Sequence, residues 1–238
     1  MTELRSAAPF VASVTNVAAA AGGADTEPVA AAAERGAARL RHRDRAVTSE
    51  DVEWLALEAS PAVARARCVP LLGAEGPGMP GRLTVVVAAG GTQPMPHATP
   101  ELLRRVEEHL ATRVPAAVAG RVRVVAASYT VVRVVAGVVP AGPAAAADVE
   151  ARLRRRADAY LNPTYGGSSG RGWAFGEPVF QSALAALLER TEGVDHVVDL
   201  ALELDGSPVA EIGDVPVDRL VAPGDHEIRV VVAEGAPG

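Results

Sequence analysis

The residues best placed to do chemistry lie in a glycine-rich stretch of the second half of the chain. Gly166-Gly167-Ser168-Ser169-Gly170 matches the G-x-S-x-G pattern, and Asp214 and His226 follow in the order that serine hydrolases of this type use. That pattern requires a strand leading into a sharp turn and a helix leading away from it. Here a helical pattern ending at Asn162-Pro163 leads in, and Arg171-Gly-Trp-Ala-Phe-Gly leads out. The context argues against a serine nucleophile, and we assign no catalytic residue.

Other chemical patterns are weaker. The five histidines are His42, His97, His109, His196 and His226. They show no metal-ligand spacing, and the chain has one cysteine, Cys68, in an apolar run typical of a buried core position. No phosphate-binding glycine motif occurs, and the adjacent Glu107 and Glu108 belong to a mostly solvated helix surface. We therefore predict no metal, no cofactor and no enzymatic activity.

Composition narrows the class of protein. The 238 residues carry a net charge of −6, which argues against nucleic acid as a partner. Hydrophobic residues make up 49% of the chain but aromatics only 3%, so Val, Ala and Leu must supply the core. No run reaches the roughly 18 apolar residues of a membrane span, and no signal-peptide core is present. These features predict cytoplasmic synthesis and no membrane span.

Residues 46–127 show the pattern of a first α/β domain. Thr48 and Asp51 resemble a capping box at the start of a helix. Apolar, β-branched runs predict strands at 62–72, 82–89 and 121–126. Thr99 followed by Pro100 and Glu101 predicts the start of a second helix.

Residues 128–238 show a second, similar pattern. We predict a strand at 128–139, a helix at 148–161, a further helix opened by Pro178, and strands at 194–204 and 227–233. The order of helix, strand and strand at 48–89 recurs at 178–233. The sequence therefore predicts two small related α/β sandwich domains with mixed or antiparallel sheets and helices on one face, rather than a doubly wound parallel sheet.

Residues 1–45 are expected to form an extended arm with a short helix. The first 25 residues are rich in Ala, Gly and Ser without periodicity, whereas 27–45 favour a helix. Arg41, Arg43 and Arg45 cluster at its end. They fit either a basic helix terminus favoured by the helix dipole or a docking strip for an acidic neighbour.

The stretch 161–180 combines glycines with aromatic rings. A solvated linker would not concentrate aromatics in this way, so we expect a shaped and partly packed loop. Trp173, Phe175, Tyr165 and Arg171 are candidates for contact with a neighbouring subunit, where buried aromatics often dominate binding. The alternative is that both Trp173 and Phe175 pack on this chain's own second domain.

Three stretches together resemble the baseplate J-like family of contractile phage tails and contractile injection systems. The first runs from Val14-Thr-Asn through Gly22-Gly23-Ala-Asp to Arg45-Ala-Val-Thr-Ser-Glu-Asp-Val-Glu-Trp-Leu-Ala. The second is Ser60-Pro-Ala-Val-Ala-Arg-Ala-Arg. The third is Leu161-Asn-Pro with Gly172-Trp-Ala-Phe-Gly-Glu-Pro-Val, closing with Gly193-Val-Asp-His-Val. The family's usual N-terminal region, which precedes the equivalent of Val11, has no counterpart here.

The resemblance implies a structural wedge component of a phage-tail-like particle. Such subunits pair with one another and repeat in a ring around the spike and hub, next to the sheath-proximal baseplate proteins. The alternative function is a stand-alone α/β binding module, or a hydrolase-like enzyme using the loop at 161–180. A structural role predicts an arm that orders in a particle, and the alternative predicts a cleft holding Ser168 near His226.

Overall fold

A computed structural model describes residues 26–70, 72–73, 76–77, 82–142 and 146–231. The predicted extended arm at 1–25 lies outside the described residues. The chain divides into two units, residues 1–40 and residues 41–238. The described part of the first unit is mostly the beginning of helix α1, Val29–His42, which confirms the predicted short helix. In that unit Arg35 binds both carboxylate oxygens of Glu27, at 3.0 and 2.7 Å.

The first half of the second unit builds a three-stranded mixed sheet. Its elements are helix α2 (Ser49–Glu58), strands β1 (Val63–Pro70), β2 (Leu72–Gly73), β3 (Gly76–Pro77) and β4 (Leu83–Ala89), helix α3 (Pro100–Ala111) and strand β5 (Val122–Ala126). The sheet order is β1-β4-β5, with β1 antiparallel and β5 parallel to the central β4, while β2 pairs with β3. The predicted strands are therefore present within two or three residues of their expected ends.

Both predicted helix starts are confirmed by their hydrogen bonds. The Thr48 hydroxyl accepts from the Asp51 N–H at 3.1 Å, and the Asp51 carboxylate accepts from the Thr48 N–H at 2.8 Å. Burial acts to raise the pKa of Asp51, but its hydrogen bonds with Thr48 and Val47 outweigh burial and leave that pKa lowered. At α3 the Thr99 hydroxyl accepts from the Leu102 N–H. These caps satisfy N–H groups that have no partner inside the helix.

One face of the first sheet packs against α2 and α3. Leu55 of α2 and Val106 and Leu110 of α3 are fully buried there with Val85 and Val87 of β4. Cys68 lies in the same cluster, and burial raises the pKa of its thiol to about 11. A thiol in this environment stays protonated near neutral pH, which agrees with its expected role as a small core residue.

The second half builds a larger mixed sheet. Its elements are β6 (Ser128–Pro140), α4 (Ala146–Leu161), β7 (Val179–Phe180), α5 (Gln181–Glu189), β8 (Val194–Leu204), β9 (Ser207–Val209), β10 (Ile212–Gly213), β11 (Arg219–Pro223) and β12 (Glu227–Val230). Strand β6 is central, with β8 antiparallel on one side and β11 and β12 parallel on the other. Helices α4 and α5 bury Leu153, Leu161, Leu184 and Leu188 against it.

Two details differ from the sequence prediction. The helix expected from Pro178 begins at Gln181, because Val179 and Phe180 pair as a strand with Gly213 and Ile212. The last strand ends at Val230, and residues 232–233 lie outside the described part. The predicted turn at Asp205-Gly206 is present, with φ of 48° and 81°, and it joins β8 to β9.

The predicted fold class is confirmed, since each half has a mixed sheet with helices. The predicted correspondence between the halves is only partial. In the first half the strand after the helix, β1, pairs with the next long strand, β4, whereas β8 pairs with the preceding strand β6. The chain passes from one sheet to the other at Ala127, between β5 and β6. The division into domains at this residue stays a prediction.

The solvent face of the second sheet carries a row of charges. Arg133 binds Glu203 at 3.0 Å and Glu227 at 2.6 Å, and Arg229 lies 3.9 Å from Asp199. Opposite charges on neighbouring strands support the pairing of those strands. Among the described residues, no helix combines the length and apolar character needed to cross a membrane.

Candidate functional site

The serine, histidine and acid of the G-x-S-x-G pattern are not arranged as a catalytic triad. Ser168 is exposed, whereas His226 is buried. The His226 Nδ1 accepts from the Val134 N–H at 3.2 Å, and its Nε2 lies 3.4 Å from the Asp158 carboxylate. Burial lowers the pKa of His226, and the nearby Asp158 carboxylate opposes that shift. The ring is therefore held as a structural group between β6 and α4.

The loop after α4 caps the C-terminal end of that helix. The last carbonyl groups of a helix have no partner inside it, so they must be satisfied elsewhere. The carbonyl oxygen of Tyr160 accepts from the Gly167 N–H at 2.7 Å and from the Trp173 indole N–H at 2.8 Å. The carbonyl oxygen of Asn162 accepts from the Gly166 N–H at 2.9 Å. The loop sequence thus supplies the cap that helix α4 lacks.

Asn162 fixes the start of the loop. Its side chain is buried, and its Oδ1 accepts from the Thr164 N–H at 2.9 Å, the Thr164 hydroxyl at 2.8 Å and the Tyr165 N–H at 3.3 Å. An Asn side chain that bonds the backbone two and three residues ahead shapes the chain into a turn. The Asn-Pro pair that ends the helical pattern in the sequence therefore begins a specific turn.

Two glycines in the loop have no room for a side chain. A Cβ on Gly166 would meet the carbonyl oxygen of Tyr160 and would lie 2.6 Å from that of Asn162. A Cβ on Gly172, whose φ is 87°, would lie 2.5 Å from the carbonyl oxygen of Pro163. The glycines allow backbone to approach backbone closely and adopt a left-handed conformation, which is a structural need rather than a catalytic one.

Trp173 packs inside this chain. Its side chain is 2% exposed and belongs to the core between the second sheet and α4 and α5. Its ring meets Tyr160 edge to face, with centroids 5.5 Å apart and planes at 88°. The candidate role of Trp173 as a ring presented to a neighbour is therefore corrected, since the folded chain leaves almost none of the ring free.

The loop also joins the two sheets. The Arg65 guanidinium of β1 donates to the carbonyl oxygens of Arg171 and of Trp173, the latter at 3.3 Å. On the other side, the Gly176 N–H donates to the carbonyl oxygen of Arg219 in β11 at 3.0 Å. Phe175 is half-buried against a small apolar cluster of Val86, Ala88, Ala127 and Leu220 that lies between the sheets. The loop is an internal joint as well as a helix cap.

The remaining predicted interface residues have more freedom. Tyr165 is 48% exposed and Arg171 is exposed. Arg41 pairs with Glu50, and Arg43 and Arg45 are exposed in and after the turn that ends α1. Their role in an interface stays a prediction.

Sequence reasoning missed an apolar hollow beside β8. Phe180 and Ile212, which are 44% and 51% exposed, pair across β7 and β10 and line a hollow of about 650 Å³ together with Leu200 and Ala185. The sequence placed Phe180 in a helix, so the pairing with Ile212 gave no signal. No group of three or more His, Cys, Asp or Glu side chains suited to a metal ion occurs in the described ranges.

Comparison with known proteins gives one informative likeness. No protein-family model and no curated protein matches the chain. A chain in the six-fold symmetrised cryo-EM structure of the anti-feeding prophage (AFP) baseplate matches with a TM-score of 0.62 and 23% sequence identity. The two chains share a fold. The match covers 89% of this chain but 47% of the baseplate chain, so this chain spans about half the length of its structural neighbour.

Proposed function

We propose that this protein is a structural component of the baseplate of a contractile injection system or phage-tail-like particle. The fold shared with a chain of the AFP baseplate, over 89% of the residues here, carries the proposal. At 23% identity the likeness is one of fold, so the role is inferred from it together with the order of motifs in the sequence.

Within a baseplate, the proposed role is that of a wedge subunit of the J-like type. Three separate stretches of the sequence carry the resemblance, and the third, at 161–180, forms the cap and joint described above. As a wedge, the protein would pair with another wedge subunit in a ring and contact the spike or hub and the sheath-proximal proteins. Synthesis and assembly would occur in the cytoplasm.

The internal structure suits a part that transmits force. The loop at 161–180 is tied to helix α4, to Arg65 of the first sheet and to Arg219 of the second. Such cross-links hold two sheets in a fixed relation, which a ring component needs when neighbouring subunits move. The site of the alternative hydrolase role lacks support, because the nitrogens of His226 face Val134 and Asp158. We therefore propose a non-catalytic role.

Purified particles from the producing cells test this proposal. The chain would be tagged in its native gene copy, and particles would be collected by sedimentation and analysed by quantitative mass spectrometry. The proposal predicts that the chain co-sediments in a fixed ratio to the spike protein and that its deletion leaves cells without sheathed particles. Normal particles in the deletion strain would contradict it.

A further inference from the structure

Strand β8 has a long open edge. One side of β8 pairs with β6 from Val194 to Leu204, but on the other side β9 covers only Leu202 to Leu204. Along Val194–Ala201 no strand of the described chain lies on that side. An unpaired strand edge presents backbone N–H and C=O groups that can pair with another chain.

Other edge strands in the structure are blocked by hydrogen bonds from nearby groups. The Glu53 carboxylate accepts from the Cys68 N–H of β1 at 3.0 Å, and the Glu107 carboxylate accepts from the Val124 N–H of β5 at 3.2 Å. On β8 the Gln181 amide donates to the carbonyl oxygen of Leu200. This contact covers one carbonyl, and a mobile amide can yield to a strand N–H offering the same bond.

The hollow lies directly beside this edge. Leu200 of β8, Ala185 of α5, and the exposed pair Phe180 and Ile212 form its apolar walls. The arrangement is a groove between an edge strand and a helix. An extended segment added to β8 would point alternate side chains toward α5, where about 650 Å³ is open to them.

The charges along the edge select the occupant. Asp195 and Asp199 have side chains that are 64% and 62% exposed, and Glu211 stands exposed at the end of the groove. Two copies of β8 paired edge to edge would bring like charges together, which is destabilising. The same carboxylates favour a segment that carries Lys or Arg.

We propose that the edge of β8 and the hollow beside it form a docking groove for an extended segment of another protein, one that alternates apolar side chains with Lys or Arg. The segment adds a strand beyond β8 in line with β9, and its apolar side chains fill the hollow. This inference does not depend on the baseplate role, since the groove lies within residues 179–212 of this chain.

A synthetic probe tests the groove on the full chain. The probe is a fluorescent, end-blocked nine-residue peptide of alternating Val and Lys, measured by anisotropy and by hydrogen exchange of the β8 amides. We expect saturable binding and slower exchange at Val194–Ala201. One control peptide has its alternate amides N-methylated, and a second has Glu in place of Lys. Both should bind at least tenfold more weakly, because they lose the backbone donors or the favourable charge.

Matched protein variants separate the groove from general apolar attraction. Ile212→Asp should weaken binding at least tenfold, while Val217→Asp, at an apolar position with 59% exposure outside the groove, should leave it within twofold. Equal weakening by both variants would overturn the proposal. So would equal binding of the N-methylated peptide, or β8 amides that are already protected in the free protein. Self-association abolished by Asp199→Lys would assign the edge to a second copy instead.

Discussion

Replacing Trp173 with alanine tests whether the loop at 161–180 is an internal joint. The side chain is 2% exposed, its indole N–H donates to the carbonyl oxygen of Tyr160 at 2.8 Å, and its ring contacts the ring of Tyr160 edge to face. The substitution removes a large ring from a core built mainly of Val, Ala and Leu. Few neighbours are large enough to fill the space left behind.

The expected cost is large. Deleting a buried Trp side chain usually lowers the free energy of unfolding by about 3–5 kcal/mol, because apolar burial is lost and a cavity remains. Trp173→Phe keeps most of the apolar area but loses the indole N–H. The Tyr160 carbonyl oxygen would keep its bond from Gly167, so this second variant should lose about 1–2 kcal/mol.

Urea denaturation followed by far-ultraviolet circular dichroism measures these changes. Tyr165→Ala is the matched control, since that ring belongs to the same loop but is 48% exposed, and it should cost less than about 1 kcal/mol. A Trp173→Ala protein that loses less than about 1 kcal/mol would refute the packing described here, since even modest core truncations cost more.

Three further perturbations follow from the same structure. Gly166→Ala should destabilise the fold by about 2–3 kcal/mol, since the new Cβ meets backbone carbonyl groups, while Gly142→Ala, where the space is open, should change it little; thermal denaturation compares the two. Thr48→Ala removes the hydroxyl that caps α2 and should cost about 1 kcal/mol in the same assay. His226 has a folded pKa below its unfolded value, so the unfolded state binds more protons and stability should fall as pH drops below about 6.5. Urea titrations at pH 7.5 and 5.5 should show a smaller drop for His226→Asn, and an equal drop would rule out this histidine as the cause.

Local signals in the sequence predicted much of the fold. Thr48 with Asp51, and Thr99 with Pro100, fix helix starts through bonds within a few residues, and the structure has them as expected. The Asp205-Gly206 turn is equally local. Such features depend on chemistry between near neighbours, so the sequence displays them directly.

Long-range pairing was not predictable in the same way. Phe180 continues an apolar pattern that fits a helix, yet it pairs with Ile212, more than thirty residues away. The place of β8 beside β6 likewise depends on which strand reaches the sheet centre, and several orders satisfy the same alternation.

The candidate site shows the same limit. The glycines and aromatics at 161–180 marked the loop as shaped, and that expectation holds. What the shape is for could not be read locally, because the partners of the loop include Arg65 and Arg219. Trp173 looked available to a neighbour until the core around it was complete. A buried tryptophan and an interface tryptophan have the same one-dimensional pattern.

The central claim is that this chain is a structural part of a contractile baseplate. Cryo-electron microscopy of sheathed particles from the producing cells tests it most directly. The account predicts that residues 41–238 fit as one compact unit, with the loop at 161–180 inside each copy, into repeated density around the spike. Baseplate density complete without this chain, in particles from cells that make it, would contradict the account.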